Sequence, residues 1–200
     1  MDKTVQTYNK IAKEYSESHF DPKFWGKEFK IFEGLIKGKK VIDIGCGAGR
    51  DAVLFIENGF DYTGIDASSE MLRIARGRVK EGKFLLMDFY ELDFPRNTFD
   101  GFWAVASMLH VPKIKAAKVL REIREIIKQY GVGFISVKER KSMVEGVIKE
   151  NKYGGIKRYL SFYKKEEFQK LLRSNGFSII KSHILKEGDT NWLCYFVEKV

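Results

Sequence analysis

Three aspartates stand where short apolar runs give way to turns, and they are the first residues in this chain with chemistry to offer. Asp43 lies inside Val41-Ile42-Asp43-Ile44, Asp66 ends Tyr62-Thr63-Gly64-Ile65-Asp66, and Asp88 follows Phe84-Leu85-Leu86-Met87. Between the first run and an amphipathic segment starting at Arg50, Gly45, Gly47 and Gly49 fall on alternate positions. The pattern reads as strand, glycine loop, helix. Glycine lets the main chain turn sharply and approach a ligand closely, and the helix behind presents free N–H groups to a polar or anionic partner. Carboxylates at neighbouring strand ends accept hydrogen bonds from hydroxyl and amino groups. Together these residues are suited to holding a polar small molecule.

Several nucleotides suit such a loop, and the spacing separates them. A Walker loop is excluded, because no Gly-Lys-Ser or Gly-Lys-Thr occurs. The dinucleotide fingerprint G-x-G-x-x-G fits poorly, since counting from Gly45 puts Arg50 at its last glycine. The acid that should hold a ribose about twenty positions later is nevertheless present as Asp66, 21 residues after Gly45. On the next strand, Asp88 is placed to accept an adenine amino N–H and Phe89 to pack against the ring. A ligand with adenine and ribose but no pyrophosphate needs no third close-packing glycine. It also tolerates Asp43, which a pyrophosphate would repel.

The elements that must position these residues follow from periodicity. Residues 2–18 read as a helix capped by Asp2, with Val5, Tyr8, Ile11, Ala12 and Tyr15 on one face. Asp21-Pro22 breaks it and starts a second helix that carries Phe24, Trp25, Phe29, Phe32, Leu35 and Ile36 and ends at Gly38. Strands are predicted over 41–45, 61–66, 83–87, 100–106 and 132–138, with helices over 50–58, 69–79 and 112–129 between them. Five strands alternating with helices make an α/β domain with a parallel sheet. After residue 138 the rhythm breaks. Residues 138–165 hold nine Lys or Arg against three Glu, and several tyrosines. A helix over 164–174 and a hairpin of strands near 177–185 and 191–198 close the chain.

The totals limit the class. Two hundred residues suit one domain, divided as N-terminal helices 1–38, a ligand-binding core 39–137, a lid 138–165 and a closing helix and hairpin 166–200. With 44% hydrophobic residues and no apolar run near eighteen, a soluble chain is expected, without a membrane partner. An N-terminus with no apolar signal core and only two cysteines, Cys46 and Cys194, make a reducing cytoplasm the expected setting. The net charge of +9 has two readings: attraction of nucleic acid or acidic metabolites, or a solvated lysine-rich surface. With 26 Lys and three Gln, the composition is thermophile-like, and no basic run approaches a nucleic-acid tail.

Here the sequence resembles the class I S-adenosylmethionine-dependent methyltransferases. Asp43-Ile44-Gly45-Cys46-Gly47-Ala48-Gly49 matches their D-x-G-x-G-x-G signature, Asp66 their ribose acid, and Asp88-Phe89 their adenine site. Phe99-Asp100-Gly101-Phe102-Trp103-Ala104 matches the fourth-strand motif, with Ser107-Met108-Leu109-His110-Val111-Pro112 in the following loop. The likeness covers residues 40–137 and extends loosely to Tyr8–Tyr15. It implies a Rossmann-like seven-stranded sheet in the order 3-2-1-4-5-7-6, its last strand antiparallel, with helices on both faces. It implies S-adenosyl-L-methionine as cofactor and S-adenosyl-L-homocysteine as product, held by Asp43, Gly45, Cys46, Gly47, Arg50, Asp66, Ala67, Met71, Asp88, Phe89 and Ala104. Main chain at Gly45 and Ala104 would take the methionine end, and Met71 the adenine side.

Individual roles stay open. Asp43 either touches ligand or orients the loop through backbone hydrogen bonds. Arg50 pairs either the cofactor carboxylate or an acidic neighbour. Cys46 reads as a small packed residue. His110 is the catalytic candidate, since imidazole accepts a proton near neutral pH; the alternative is a structural histidine at a helix start. Tyr8 and Tyr15 belong either to the core or, as phenols, beside the sulfonium methyl. His19 and His183 look incidental. The basic stretch either binds an anionic acceptor through Lys138, Arg140 or Arg158 or is solvated surface. No metal site is expected.

The expected activity is methyl transfer by in-line displacement to a small molecule enclosed by the N-terminal helices and the lid, in a monomer or homodimer. No Asn-Pro-Pro-Tyr or Asp-Pro-Pro-Tyr follows the fourth strand, where Ala106-Ser107-Met108-Leu109 stands instead. The alternatives are an RNA or protein methyltransferase, a non-catalytic cofactor-binding protein, and a nicotinamide oxidoreductase.

Overall fold

A computed structural model describes residues 3–200; the cap expected from Asp2 lies outside the described residues. Five parallel strands carry the site: β1 (Lys40–Ile44), β2 (Asp61–Asp66), β3 (Lys83–Leu86), β4 (Phe99–Val105) and β5 (Ile127–Lys138). Near the chain end, β8 (Phe177–Glu187) and β9 (Thr190–Lys199) form a hairpin, and β9 runs antiparallel to both β8 and β5. The sheet order is β3-β2-β1-β4-β5-β9-β8. Since β6 (Glu145–Glu150) and β7 (Ile156–Ser161) pair only with each other, this is the expected 3-2-1-4-5-7-6 order with an extra hairpin inserted.

Alternation along the central strands explains why both faces of the sheet are covered. Ile42, Ile44, Phe102 and Ala104 belong to one buried cluster, with α5 (Lys113–Ile126) and α6 (Lys165–Ser174) supplying Val119, Leu120, Ile123, Phe168 and Leu172. Val41, Trp103 and Val105 belong to the other. Its helical partners are Phe29 and Phe32 of α2 (Gly26–Leu35), Phe55 of α3 (Ala52–Glu57) and Leu72 of α4 (Ser69–Arg78). The first helix, α1 (Lys3–Ser18), packs against α4 and lies over the carboxyl ends of the strands. No helix among the described residues is long and apolar enough to cross a membrane.

Three of the boundaries that differ from the periodicity reading have a visible local cause. The second helix begins at Gly26, because Asp21 first caps a turn by accepting Lys23 N–H at 2.9 Å. Helix α3 begins only at Ala52, leaving Arg50 and Asp51 in the turn ahead of it. Helix α5 stops at Ile126 rather than 129: Ile127 is already extended (φ −86°, ψ 138°) and pairs with Phe99 of β4. Lys199 Nζ donates to the freed Ile127 carbonyl at 2.7 Å, and Tyr130 turns the chain at φ 61°. Ile127 therefore extends the apolar spacing of a helix while serving the sheet.

The β6–β7 hairpin was not predicted. In β7 Ile156, Arg158, Leu160 and Ser161 are buried, and along the two-residue alternation a cation, Arg158, stands between Ile156 and Leu160 on the inward side.

Candidate active site

The glycine loop is held against β2 by its own amides. Gly45 N–H and Cys46 N–H both donate to the Ile65 carbonyl at 2.9 Å. Gly45 sits at φ 78°, and a Cβ there would stand 2.6 Å from Ser107 Cβ, so β4's loop presses directly on it. Gly47 sits at φ 53° with nothing within 4 Å of an added Cβ: it faces open space. Its N–H donates to Asp66 Oδ2 at 2.9 Å, while Asp66 Oδ1 accepts Ser68 N–H at 2.8 Å. Burial pushes the Asp66 carboxyl up, and these backbone donors partly counter it. Ser68 caps α4 by accepting Met71 N–H, and donates its own hydroxyl to Asn9 of α1 at 2.7 Å. Asn9 thereby fastens α1 over the loop.

Asp43 is 2% exposed and accepts the Tyr62 hydroxyl at 2.8 Å. Burial, and then the nearby Asp51 charge, hold its carboxyl well above the usual range. Arg50 pairs with its acidic neighbour: Nε and Nη2 reach Asp51 at 2.6 and 3.0 Å. Asp51, buried and not foreseen, also accepts Trp103 Nε1–H at 2.9 Å. Asp88 accepts Tyr90 N–H at 3.1 Å in a local turn, with Phe89 edge-on to Tyr90.

These residues enclose a cavity of about 170 Å³ at the carboxyl ends of β1 to β4. Its lining includes Asp43, Gly45, Cys46, Gly47, Arg50, Asp66, Ala67, Met71, Asp88 and Phe89. Ala104 is the exception. It is fully buried, paired with Ile135 inside the sheet, while β4 continues to Val105 before the chain turns. The wall expected from Ala104 is formed instead by Val105, Ala106 and Ser107, with Ala106 at φ 51°. A non-glycine residue in that region is uncommon and characteristic of functional turns; Ser136 secures it, its carbonyl and hydroxyl taking Ala106 N–H at 3.3 and 3.1 Å.

His110, Tyr8 and Tyr15 meet beyond Ala106, joined by a residue the sequence reading left undecided. Arg158 Nη1 donates to Tyr8 Oη at 2.6 Å, Tyr8 Oη lies 2.9 Å from His110 Nε2, and His110 Nδ1 lies 2.9 Å from the Tyr159 carbonyl. A carbonyl only accepts and a guanidinium only donates, so the neutral imidazole carries its proton on Nδ1 and takes the Tyr8 proton at Nε2. Its basic nitrogen is thus engaged. Burial raises the Tyr8 phenol well above its ordinary value, which keeps it a donor at neutral pH. Tyr15 packs edge-on against Tyr8, and His19 stacks on Tyr15 at 4.1 Å. His19 therefore lines the site rather than being incidental; His183 lies elsewhere, 2.8 Å from Glu28.

A second cavity of about 570 Å³ adjoins the first and shares Tyr8, Tyr15, His19, Phe20, Arg50, Ala106 and His110 with it. Phe24, Trp25, Leu109, Lys138, Glu150, Arg158, Leu160 and Trp192 complete its inner wall. The β6–β7 hairpin covers it, docked by Thr7 Oγ1 to the Lys157 carbonyl at 2.8 Å and Ser161 Oγ to the Val111 carbonyl at 2.7 Å. Arg158 is bound bidentately by Glu150 at 2.6 and 2.7 Å. Arg140 lines neither cavity.

An open α/β sheet with its cavity at the strands' carboxyl ends, a glycine loop after β1 and an acid ending β2 define a domain of the Rossmann-like class. Residues 41–131 match the family model described as a methyltransferase domain, and over that stretch the chain is similar to named methyltransferases. Methyltransferase GfsG of Streptomyces halstedii is 36% identical over 101 residues, covering 47% of this chain and 36% of that protein. The sterol 24-C-methyltransferase ERG6B of Gibberella zeae is 34% identical over 110 residues, covering 50% of this chain and 27% of the relative. This chain thus spans about a third of the length of these curated relatives. In fold it is similar to a SAM-dependent methyltransferase of Methanosarcina mazei, with TM-score 0.78 and 17% identity over 85% of this chain and 97% of that one.

Proposed function

We propose that this chain is an enzyme that binds S-adenosylmethionine in the first cavity and transfers its methyl group to a small molecule in the second. The observation that carries this reading is the shared wall. Ala106, Tyr8, Tyr15 and His110 separate a chamber lined by the glycine loop, Asp66 and Asp88 from a larger, roofed chamber. The residues fit the cofactor. Gly47 leaves the space that any side chain would fill, and the Asp66 carboxylate, fixed by main-chain donors from Gly47, Ser68 and Ala67, lines the same cavity as an acceptor for a ribose hydroxyl. Asp88 and Phe89 would hold the adenine edge and face.

When bound, S-adenosylmethionine supplies a methyl group on a positively charged sulfur that departs as a neutral thioether. The protein's part is to align an acceptor and exclude water. Such orientation lowers a barrier by about 7–11 kcal/mol. Helix α1 and the β6–β7 hairpin cover part of the chambers, and the Arg158–Tyr8–His110 chain holds the Tyr8 phenol at their junction. With Nε2 taking the Tyr8 proton and Arg158 donating to the phenol oxygen, these three side chains hold one another in fixed orientation beside the reacting groups. A small-molecule acceptor is supported by the roofed chamber; the Gibberella relative is named for a sterol substrate.

Calorimetric titration with S-adenosylhomocysteine and with NAD tests the first half: saturable binding of the former alone is expected, and the reverse overturns it. Turnover against pooled metabolites, RNA and protein tests the second. Methylation confined to RNA or protein would overturn the small-molecule acceptor.

A further inference from the structure

Among the described residues, one inner cation of the second cavity has no ion-pair partner. Lys138 ends β5, two residues beyond the Ser136 that secures Ala106. At ~3.3 Å per strand residue its backbone lies about 7 Å past the level where the two cavities meet. Its side chain is half-buried, lines the cavity, and its ammonium stands 5.4 Å from the centre of the Trp192 ring. The other inner cations are matched: Arg158 by Glu150 and Arg50 by Asp51. Lys138 has no such ion pair among the described residues. The charged groups facing it are Arg158, Glu150, Glu187 and Lys152. Glu187 accepts Trp192 Nε1–H at 2.8 Å and, like Lys152, Glu17, Asp21 and Asp189, is exposed at the cavity mouth. Lys138, Arg158 and Glu150 leave one net positive charge in the interior, placed among Phe24, Trp25 and Trp192.

A half-buried ammonium over an indole ring calls for an anionic partner, and the aromatic walls call for a planar one. We infer that Lys138 anchors the carboxylate of the acceptor and that the acceptor is a small aromatic acid, its ring against Trp192 and Phe24. One net charge fits a monoanion. A phosphate dianion would meet repulsion from Glu150 and Glu187. Burial also lowers the Lys138 ammonium's hold on its proton, which an incoming carboxylate reverses. This assignment rests on the second cavity being the acceptor site.

The test uses the whole chain saturated with S-adenosylhomocysteine. A panel of hydroxy- and aminobenzoic acids, their amides, and phenyl phosphate is titrated into wild type, Lys138→Met and Lys138→Arg. Wild type should bind at least one acid about tenfold or more tightly than its amide. Lys138→Met should abolish that preference without altering amide binding, and Lys138→Arg should restore much of it. Equal binding of every acid and amide, a preference that survives Lys138→Met, or a preference for the phosphate would overturn the inference. Failure of wild type to bind S-adenosylhomocysteine, read first in the same instrument, would instead strike the reading of the first cavity.

Discussion

Replacing Arg158 by Met should open the β6–β7 hairpin while leaving the sheet intact. The guanidinium is 10% exposed, makes two bonds to Glu150 at 2.6 and 2.7 Å, and a third to Tyr8 at 2.6 Å. Removing one partner of a fully buried pair costs about 3–5 kcal/mol, because the other charge is stranded. Glu150 is 23% exposed and rehydrates in part, Tyr8 keeps His110, and Met refills the apolar stem. About 2–3 kcal/mol of docking energy should remain lost. A two-stranded hairpin is marginal by itself, so the loss should appear as local opening rather than global unfolding. At 1.4 kcal/mol per factor of ten, that is roughly thirty- to a hundredfold. Native-state hydrogen exchange reads it directly: protection should fall by that factor at the Tyr159 amide, which donates to Thr4 Oγ1 at 3.2 Å, and stay constant in β1 and β4. In a double-mutant cycle with Glu150→Met, the combined loss should be well below the sum. Unchanged protection in the hairpin, or an equal fall throughout the sheet, would refute the role given to this ion pair.

Three further outcomes follow from the same geometry. Gly47→Ala should cost only about 1–2 kcal/mol of stability for its positive φ yet sharply weaken S-adenosylhomocysteine binding, since its Cβ enters open space; Gly45→Ala should cost more stability, because its Cβ meets Ser107. Paired melts and titrations separate them, and the opposite order would contradict the placement of the loop. Trp103→Phe removes the indole donor to buried Asp51, and chemical denaturation should show about 1.5–3 kcal/mol lost. For Asp66 the pH signs are opposed. Its folded-state pKa is raised by burial, so proton uptake as pH falls through that value favours the folded, unliganded protein. The same uptake removes acceptor capacity, so S-adenosylhomocysteine affinity should fall with acidification, beginning above the ordinary aspartate range. Calorimetry from neutral to acid pH should show this slope, and Asp66→Asn should flatten it.

Local pattern carries far in the first half of the chain. The bounds read for the second strand coincide with β2, and the aspartates and glycines around it converge on one cavity. A buried parallel strand is a continuous apolar run between turn signals, and its ligand-facing residues lie just past its end, so order along the chain becomes order in space. Where two structures share one pattern, the reading slipped. Ile126 and Ile127 continue the helical spacing of α5, but Ile127 serves β5 because Phe99 is there to pair with it. Ala104, given a place in the site by the resemblance, lies inside β4 two residues before Ala106 bends away, so the residues that follow it form the wall.

The sequence by itself determined the α/β order, the glycine loop, the acid that ends β2 and the one just past β3, because each follows from residue spacing within one or two neighbouring elements. Only the tertiary structure decided that Arg50 belongs to Asp51, that His110 has its basic nitrogen engaged by Tyr8, and which of Lys138, Arg140 and Arg158 faces the second cavity without an ion pair among the described residues. Those partners lie 102 residues apart for Tyr8 and His110 and 150 for Tyr8 and Arg158. The basic stretch after residue 138 names the charges, but packing against α1 and the end of the sheet selects which are neutralised and which is left for a ligand.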